Sequence, residues 1–236
     1  MTEKLFRGDA YLKDCDAVVT ELNDRGGIVL DRTVFYATGG GQPGDSGWLE
    51  RAGGDRIEIA TTVYEPDRNA IALVPANGAD LPEAGENVHC ILDWERRHAH
   101  MRTHTCLHLL CSLIDFPVTG GQIAAGKGRL DFDIPEAVLD KEALTEALAG
   151  LINDDRAVTD RWITDAELAA QPELVRTMSV QPPRGSGFVR LVEIAGCDLQ
   201  PCGGTHVAST GEIGAARVTK IEKKGAQNRR VRVELG

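Results

Sequence analysis

No apolar run in this chain of 236 residues approaches the roughly 18 needed to cross a bilayer as a helix. The opening stretch Met1-Thr2-Glu3-Lys4-Leu5-Phe6-Arg7-Gly8-Asp9 lacks the apolar centre of a secretory signal. Cysteine is sparse: six residues (15, 90, 106, 111, 197 and 202) are scattered through a chain too large to need covalent staples. That argues against a disulfide scaffold and predicts a reduced, cytoplasmic protein. No internal repeat or low-complexity tract stands out. Two motif absences narrow the chemistry. The glycine run at 39–41 is not followed by the Lys-Ser/Thr of a phosphate-binding loop, and no glutamate stands between His104 and His108. The first disfavours a nucleotide-phosphate site and the second a zinc peptidase of the commonest kind.

The chain is 42% hydrophobic and 26% charged, as in a soluble globular protein of one large or two ordinary domains. Net charge is −10, yet Arg217, Lys220, Lys223, Lys224, Arg229, Arg230 and Arg232 are opposed within their span by Glu222 alone. This reversal of sign reads either as a footprint for a phosphate backbone or as the solvated face of a terminal hairpin. As phosphate contacts the candidates are Lys220, Lys223, Lys224, Arg229 and Arg230.

Up to about residue 92 the pattern is β-like. Residues 17–20, 27–31, 33–36, 56–60, 70–74 and 88–92 are apolar or alternating runs of strand length, separated by turn-prone pieces at 23–27, 51–55 and 65–69. A small β-barrel or sandwich is expected over 1–92. Within it, Gly39, Gly40, Gly41 and Gln42 form a permissive loop that admits close approach by a ligand or another chain; the alternative is a plain surface loop. His89 and Cys90 are read as structural.

From residue 93 to 236 the pattern predicts an α+β domain, helices packed on an antiparallel sheet. Residues 96–114 read as a helix with two stripes. Leu107, Leu110 and Ile114 face a core, while His104, His108 and Cys111 lie about a quarter-turn away. His98 and His100 read as a solvated helix start, or as contacts near a site. Val118–Ile123 is glycine-rich and 128–134 is strand-like. A second helix is expected over 135–153, with Asp133 as N-cap, Glu136 three residues on, and Val138, Leu144, Leu148, Leu151 and Ile152 inward. Residues 160–163 read as a strand, and Thr164 to Glu167 has capping-box spacing for a short helix ended near Pro172. A loop over 181–187 precedes a strand from Phe188, and two further β segments close the chain.

His104 and His108 stand one helical turn apart on one face. Cys202 and His206 have the same spacing, and the glycines between them, Gly203 and Gly204, let the backbone curl so that both side chains face one point. Three imidazoles and a thiolate suit borderline-soft zinc, one ion per chain, rather than magnesium or calcium. Four protein ligands usually mark a closed structural site, so hydrolysis and a purely structural role both stay open.

Four stretches carry a family resemblance: Met101-Arg-Thr-His-Thr-Cys-Leu-His-Leu-Leu110, Pro201-Cys-Gly-Gly-Thr-His-Val207, Ile221-Glu-Lys-Lys-Gly-Ala-Gln-Asn-Arg-Arg-Val231 and the glycine-rich 35–47. They resemble the editing domain of alanyl-tRNA synthetase and, with no synthetase core present, the free-standing alanyl-tRNA editing proteins of the AlaX type. The resemblance implies a translation-factor-like N-terminal barrel and zinc on His104, His108, Cys202 and His206. It further implies hydrolysis in trans of mischarged tRNA(Ala), chiefly the seryl ester, with the glycyl ester as a second substrate. The 3′-terminal acceptor end would be the partner. Where the family usually carries a small hydroxyl residue after a glycine, this chain has Gln122 after Gly121. Thr105, Thr119 and Gln122 are therefore the candidates for a polar pocket that pairs with a serine hydroxyl and rejects alanine. The rival readings are a non-catalytic, zinc-stabilised tRNA-binding module and the editing of another mischarged tRNA.

Overall fold

Alternation from Asp14 to Val19 and from Arg56 to Ile59 sends every second side chain inward, the signature of strands with one face on a core, and a register shift ends it in each strand. The computed structural model describes residues 1–135, 139–176, 187–225 and 227–236. Its chain divides into two units, Met1–His98 and Ala99–Gly236.

In the first unit the strands are β1 (Glu3–Lys4), β2 (Asp14–Leu22), β3 (Ile28–Leu30), β4 (Arg32–Thr33), β5 (Gly47–Arg51), β6 (Arg56–Tyr64), β7 (Ile71–Pro75) and β8 (Asn87–Leu92). Six of them close a barrel in the order β2-β3-β7-β6-β5-β8, every pair antiparallel. Val19, Leu30, Leu49, Ile59, Leu73 and Cys90 fill its interior. One expected strand is displaced. Residues 33–36 leave the ladder after Thr33, and the sixth barrel strand is β5, which runs between the glycine-rich loop and the Arg51–Asp55 turn. The reason is Asp45. Its buried carboxylate accepts from the Tyr36 N–H at 2.6 Å and from Arg97 Nε at 2.9 Å, and Arg97 Nη2 also donates to Val34 O. These bonds hold 34–36 outside the barrel strands.

The second unit holds most of helix α1 (Trp94–Leu113), then β9 (Val118–Ala124), β10 (Lys127–Asp133), α2 (Lys141–Asn153), β11 (Val158–Thr164), α3 (Asp165–Ala169), β12 (Phe188–Ile194), β13 (Asp198–Pro201), β14 (Ala216–Lys224) and β15 (Asn228–Leu235). One antiparallel sheet has the order β14-β15-β10-β9 and another β11-β12-β13. The capping box of α3 forms as its spacing predicts, Thr164 Oγ1 accepting from Glu167 N–H. The second helix starts later than expected. Asp133 is the last residue of β10, paired with Asn228, and the cap is Asp140, whose carboxylate accepts from Ala143 N–H at 2.9 Å. Glu136, Val138 and residues 181–186 of the expected loop lie outside the described residues.

Both expected stripes of α1 are covered. Every residue from Thr103 to Cys111 is buried, because strands cover both of its stripes. On one side β10 approaches so closely that a Cβ on Gly128 would sit 2.9 Å from Thr103 Cγ2 and 3.1 Å from the Leu107 methyls, so a larger residue would have to push those side chains aside. On the other, β13 brings polar groups to His108.

Candidate metal centre

Helix α1 presents His104 and His108 side by side, and the turn after β13 brings Cys202 and His206 to meet them. One nitrogen or sulfur atom from each of the four lies within 4.8 Å of the others. Cys202 Sγ is 3.5 Å from His104 Nε2 and 3.3 Å from His206 Nε2. The ring centres are 5.2 Å (104 to 108), 4.2 Å (104 to 206) and 4.6 Å (108 to 206) apart. All three histidines are buried and Cys202 is half-buried.

The opposite edges of two rings are held. His108 Nδ1 is 2.8 Å from Asp198 Oδ2, and Gln200 Nε2 donates to the same carboxylate oxygen at 2.9 Å. The carboxylate accepts the Nδ1–H, which leaves Nε2 for the cluster. Thr105 Oγ1 donates to Met101 O at 3.0 Å and so has lone pairs for His206 Nδ1–H at 3.1 Å and Val207 N–H at 3.3 Å. Arg190 fixes the turn itself, with Nη1 donating to Cys202 O and Gly204 O while Nε pairs with Asp160.

The electrostatics follow from this crowding. Burial alone would raise the Cys202 thiol, but the imidazoles of His104 and His206 hold it well below the ordinary thiol value. Burial, with His104 adding to it, drives His206 well below the usual imidazole range. For His108, burial lowers the value but hydrogen bonds to Asp198 and Cys202 outweigh it and lift it to about 10. The donor set thus holds a thiolate and a neutral imidazole ready as ligands, and a cation entering the cluster would release the His108 proton.

A tetrahedral zinc with bonds of about 2.0–2.3 Å would set its ligand atoms about 3.3–3.7 Å apart. The two Sγ to Nε2 separations fall in that range, so the residues fit the ion. Asp198 and Gln200 were not singled out in the sequence. Their signal was alternation, since 198 and 200 share one face of the strand that leads into Cys202.

Thr105 is fully buried behind His206. In β9, Thr119 Oγ1 lies 3.1 Å from Asp131 O and 3.0 Å from Asn228 Oδ1, and exposed Gln122 accepts from Arg129 Nε. Gly39 and Gln42 exchange backbone hydrogen bonds of 3.0 and 2.9 Å around Gly40 and Gly41, both at positive φ, which makes the loop a tight hairpin turn. His100 is only 2% exposed, not part of a solvated helix start, and His98 stacks on Trp94.

The basic hairpin β14–β15 is more neutralised than its sequence suggests. Glu222 gathers Lys220, Lys224 and Arg232, and Arg230 makes a two-pronged pair with Asp131 at 2.7 and 2.8 Å. Among the described residues Lys223 and Arg229 have no carboxylate partner.

Comparison with known proteins matches two family models to the chain. Residues 189–232 match the family model described as the threonyl and alanyl tRNA synthetase second additional domain, and residues 10–96 match that of class II (A) tRNA synthetases. The alanyl-tRNA editing protein AlaX-M of Methanosarcina acetivorans is 35% identical, over 98% of this chain and 98% of its own. AlaX-L of Pyrococcus horikoshii is 31% identical over all of this chain and 58% of its own, and the alanine–tRNA ligase of Thermococcus kodakarensis 33% over 94% and 24%. The chain belongs to the alanyl-tRNA editing protein family.

Proposed function

We propose that this protein is an aminoacyl-tRNA deacylase that acts in trans in the cytoplasm, clearing seryl-tRNA(Ala) chiefly and glycyl-tRNA(Ala) as well. The carrying observation is the convergence of His104, His108, Cys202 and His206, in a chain that aligns end to end with AlaX-M proteins. No helix among the described residues is long and apolar enough to cross a membrane.

Those four side chains would hold one zinc ion. When bound, zinc would supply positive charge beside the ester, favouring the oxyanion that develops during hydrolysis. The chain's own residues do the rest. Asp198, Gln200 and Thr105 fix ring orientation, so the cluster is organised before substrate arrives. Arg190 holds the Cys202–Gly204 turn in place. Approach would be from the Cys202 side: Cys202 is less buried than the histidines, and a Cβ on Gly203 would meet nothing within 4 Å. The same openness favours hydrolysis over a closed structural site. An ester needs less activation than an amide, so positioning the 3′-terminal adenosine could supply much of the rate. The acceptor-stem phosphates would lie on the β14–β15 hairpin.

The test is to incubate the purified protein with seryl-, glycyl- and alanyl-tRNA(Ala). Loss of the seryl ester well above buffer, with the alanyl ester spared, is expected. A seryl half-life equal to that in buffer would overturn the proposal.

A further inference from the structure

Two cysteines outside the metal cluster face each other across adjacent barrel strands. Cys15 of β2 and Cys90 of β8 are directly opposed in the antiparallel register. Along the same ladder Leu92 N–H donates to Lys13 O at 2.8 Å and Val19 N–H to Glu86 O at 2.9 Å. Alternation then makes Cys15 and Cys90 a hydrogen-bonded pair, the kind whose α-carbons lie about 5.5 Å apart. Bridged cysteines have their α-carbons most often about 5.5–6 Å apart. Both side chains turn inward: Cys90 lies fully buried in the barrel core and Cys15, half-buried, packs against that core. Both thiols are free.

We infer that Cys15 and Cys90 form a peroxide-reactive dithiol, in which half-buried Cys15 is oxidised first and buried Cys90 closes a reversible cross-strand disulfide. The electrostatics agree with the roles. The interaction with Cys90 lowers the Cys15 thiol below its ordinary value despite burial, with Val34 N–H, His89 and Arg32 adding to the effect. The interaction with Cys15 and burial push Cys90 up. Burial pushes Cys106 up to about 12 and Cys111 up to about 11, which leaves them poor nucleophiles.

The step balances with hydrogen peroxide as oxidant. Cys15 thiolate attacks one peroxide oxygen, the O–O bond breaks, and a sulfenic acid forms as hydroxide leaves and is protonated to water. Cys90 sulfur then attacks the Cys15 sulfur and the S–O bond breaks. The departing hydroxide takes the Cys90 proton as a second water, so two thiols and one peroxide give one disulfide and two waters. No ligand of the metal cluster takes part.

The test uses the full-length reduced protein, treated with excess hydrogen peroxide, alkylated and digested with trypsin without reductant. The expected product joins peptide 14–25 to peptide 69–96, two hydrogens lighter than their sum, and separates on adding a phosphine. Cys90→Ser should lose the link and leave Cys15 trapped by dimedone; Cys90→Ala serves if that variant does not fold. Recovery of Cys15 and Cys90 in alkylated form overturns the inference, whatever the other cysteines have become. So does linkage of Cys15 to any other cysteine or to a second chain.

Discussion

Asp198 Oδ2 lies 2.8 Å from Nδ1 of His108, a residue 90 positions away, and this one contact determines which imidazole nitrogen faces the cluster. Replacing Asp198 by Asn keeps the size but loses the charge that favours Nδ1–H. Zinc affinity is expected to fall about 10–100-fold, as for other partners of ligating histidines. Competition titration against a chromogenic chelator measures it, with circular dichroism confirming the fold. Unchanged affinity would remove Asp198 from the site.

Thr105 separates two roles that one residue could have. Its hydroxyl is taken up by Met101 O, His206 Nδ1 and Val207 N, and the residue is fully buried. Thr105→Val leaves buried donors without an acceptor, at a cost of about 1–3 kcal/mol. It should weaken zinc binding and seryl-ester hydrolysis together, with Thr105→Ser restoring both. A change in serine-over-alanine selectivity at constant zinc affinity would instead place Thr105 in the substrate pocket.

In the barrel unit Asp45 and Arg97 form an ion pair whose side chains are 1% and 0% exposed. Removing one partner of such a pair strands the other charge and costs about 3–5 kcal/mol. Asp45→Ala is therefore expected to lower the urea midpoint sharply. A midpoint within error of the parent would show that the pair is dispensable.

Lys223 and Arg229 should behave differently from Arg230. The double change Lys223→Ala with Arg229→Ala is expected to raise the KM for seryl-tRNA(Ala) without changing kcat. The log–log salt dependence of binding should flatten by about 0.7–0.9 for each phosphate that is no longer neutralised. Arg230→Ala breaks the two-pronged pair with Asp131, so its main effect should be a lower Tm. An unaltered salt slope in the double variant would move the tRNA path off this hairpin.

The legible parts were those encoded locally. His104 with His108, and Cys202 with His206, declare themselves because four-residue spacing fits one helical turn or one glycine-curled loop. The capping box at Thr164 and the strand runs of the barrel are local in the same sense. What escaped depends on partners far along the chain. Strand β5 was hidden between two turn-rich stretches, and only the bonds of Asp45 to Tyr36 and Arg97 explain why 34–36 yield their place to it. The start of α2 was misplaced because Asp133 and Asp140 are equally good caps, and the pairing of β10 with β15 decides between them. Basic residues near the C-terminus looked uncompensated because Asp131, which neutralises Arg230, lies 99 positions earlier.

The central claim is that ester hydrolysis occurs at the His104–His108–Cys202–His206 cluster and depends on its metal. Single-turnover hydrolysis of seryl-tRNA(Ala), followed before and after chelation and again after adding one equivalent of zinc, tests it most directly. The account predicts loss to the buffer rate on chelation and recovery with zinc, the fold being retained throughout. Hydrolysis at the original rate in protein shown by elemental analysis to be free of metal would contradict it.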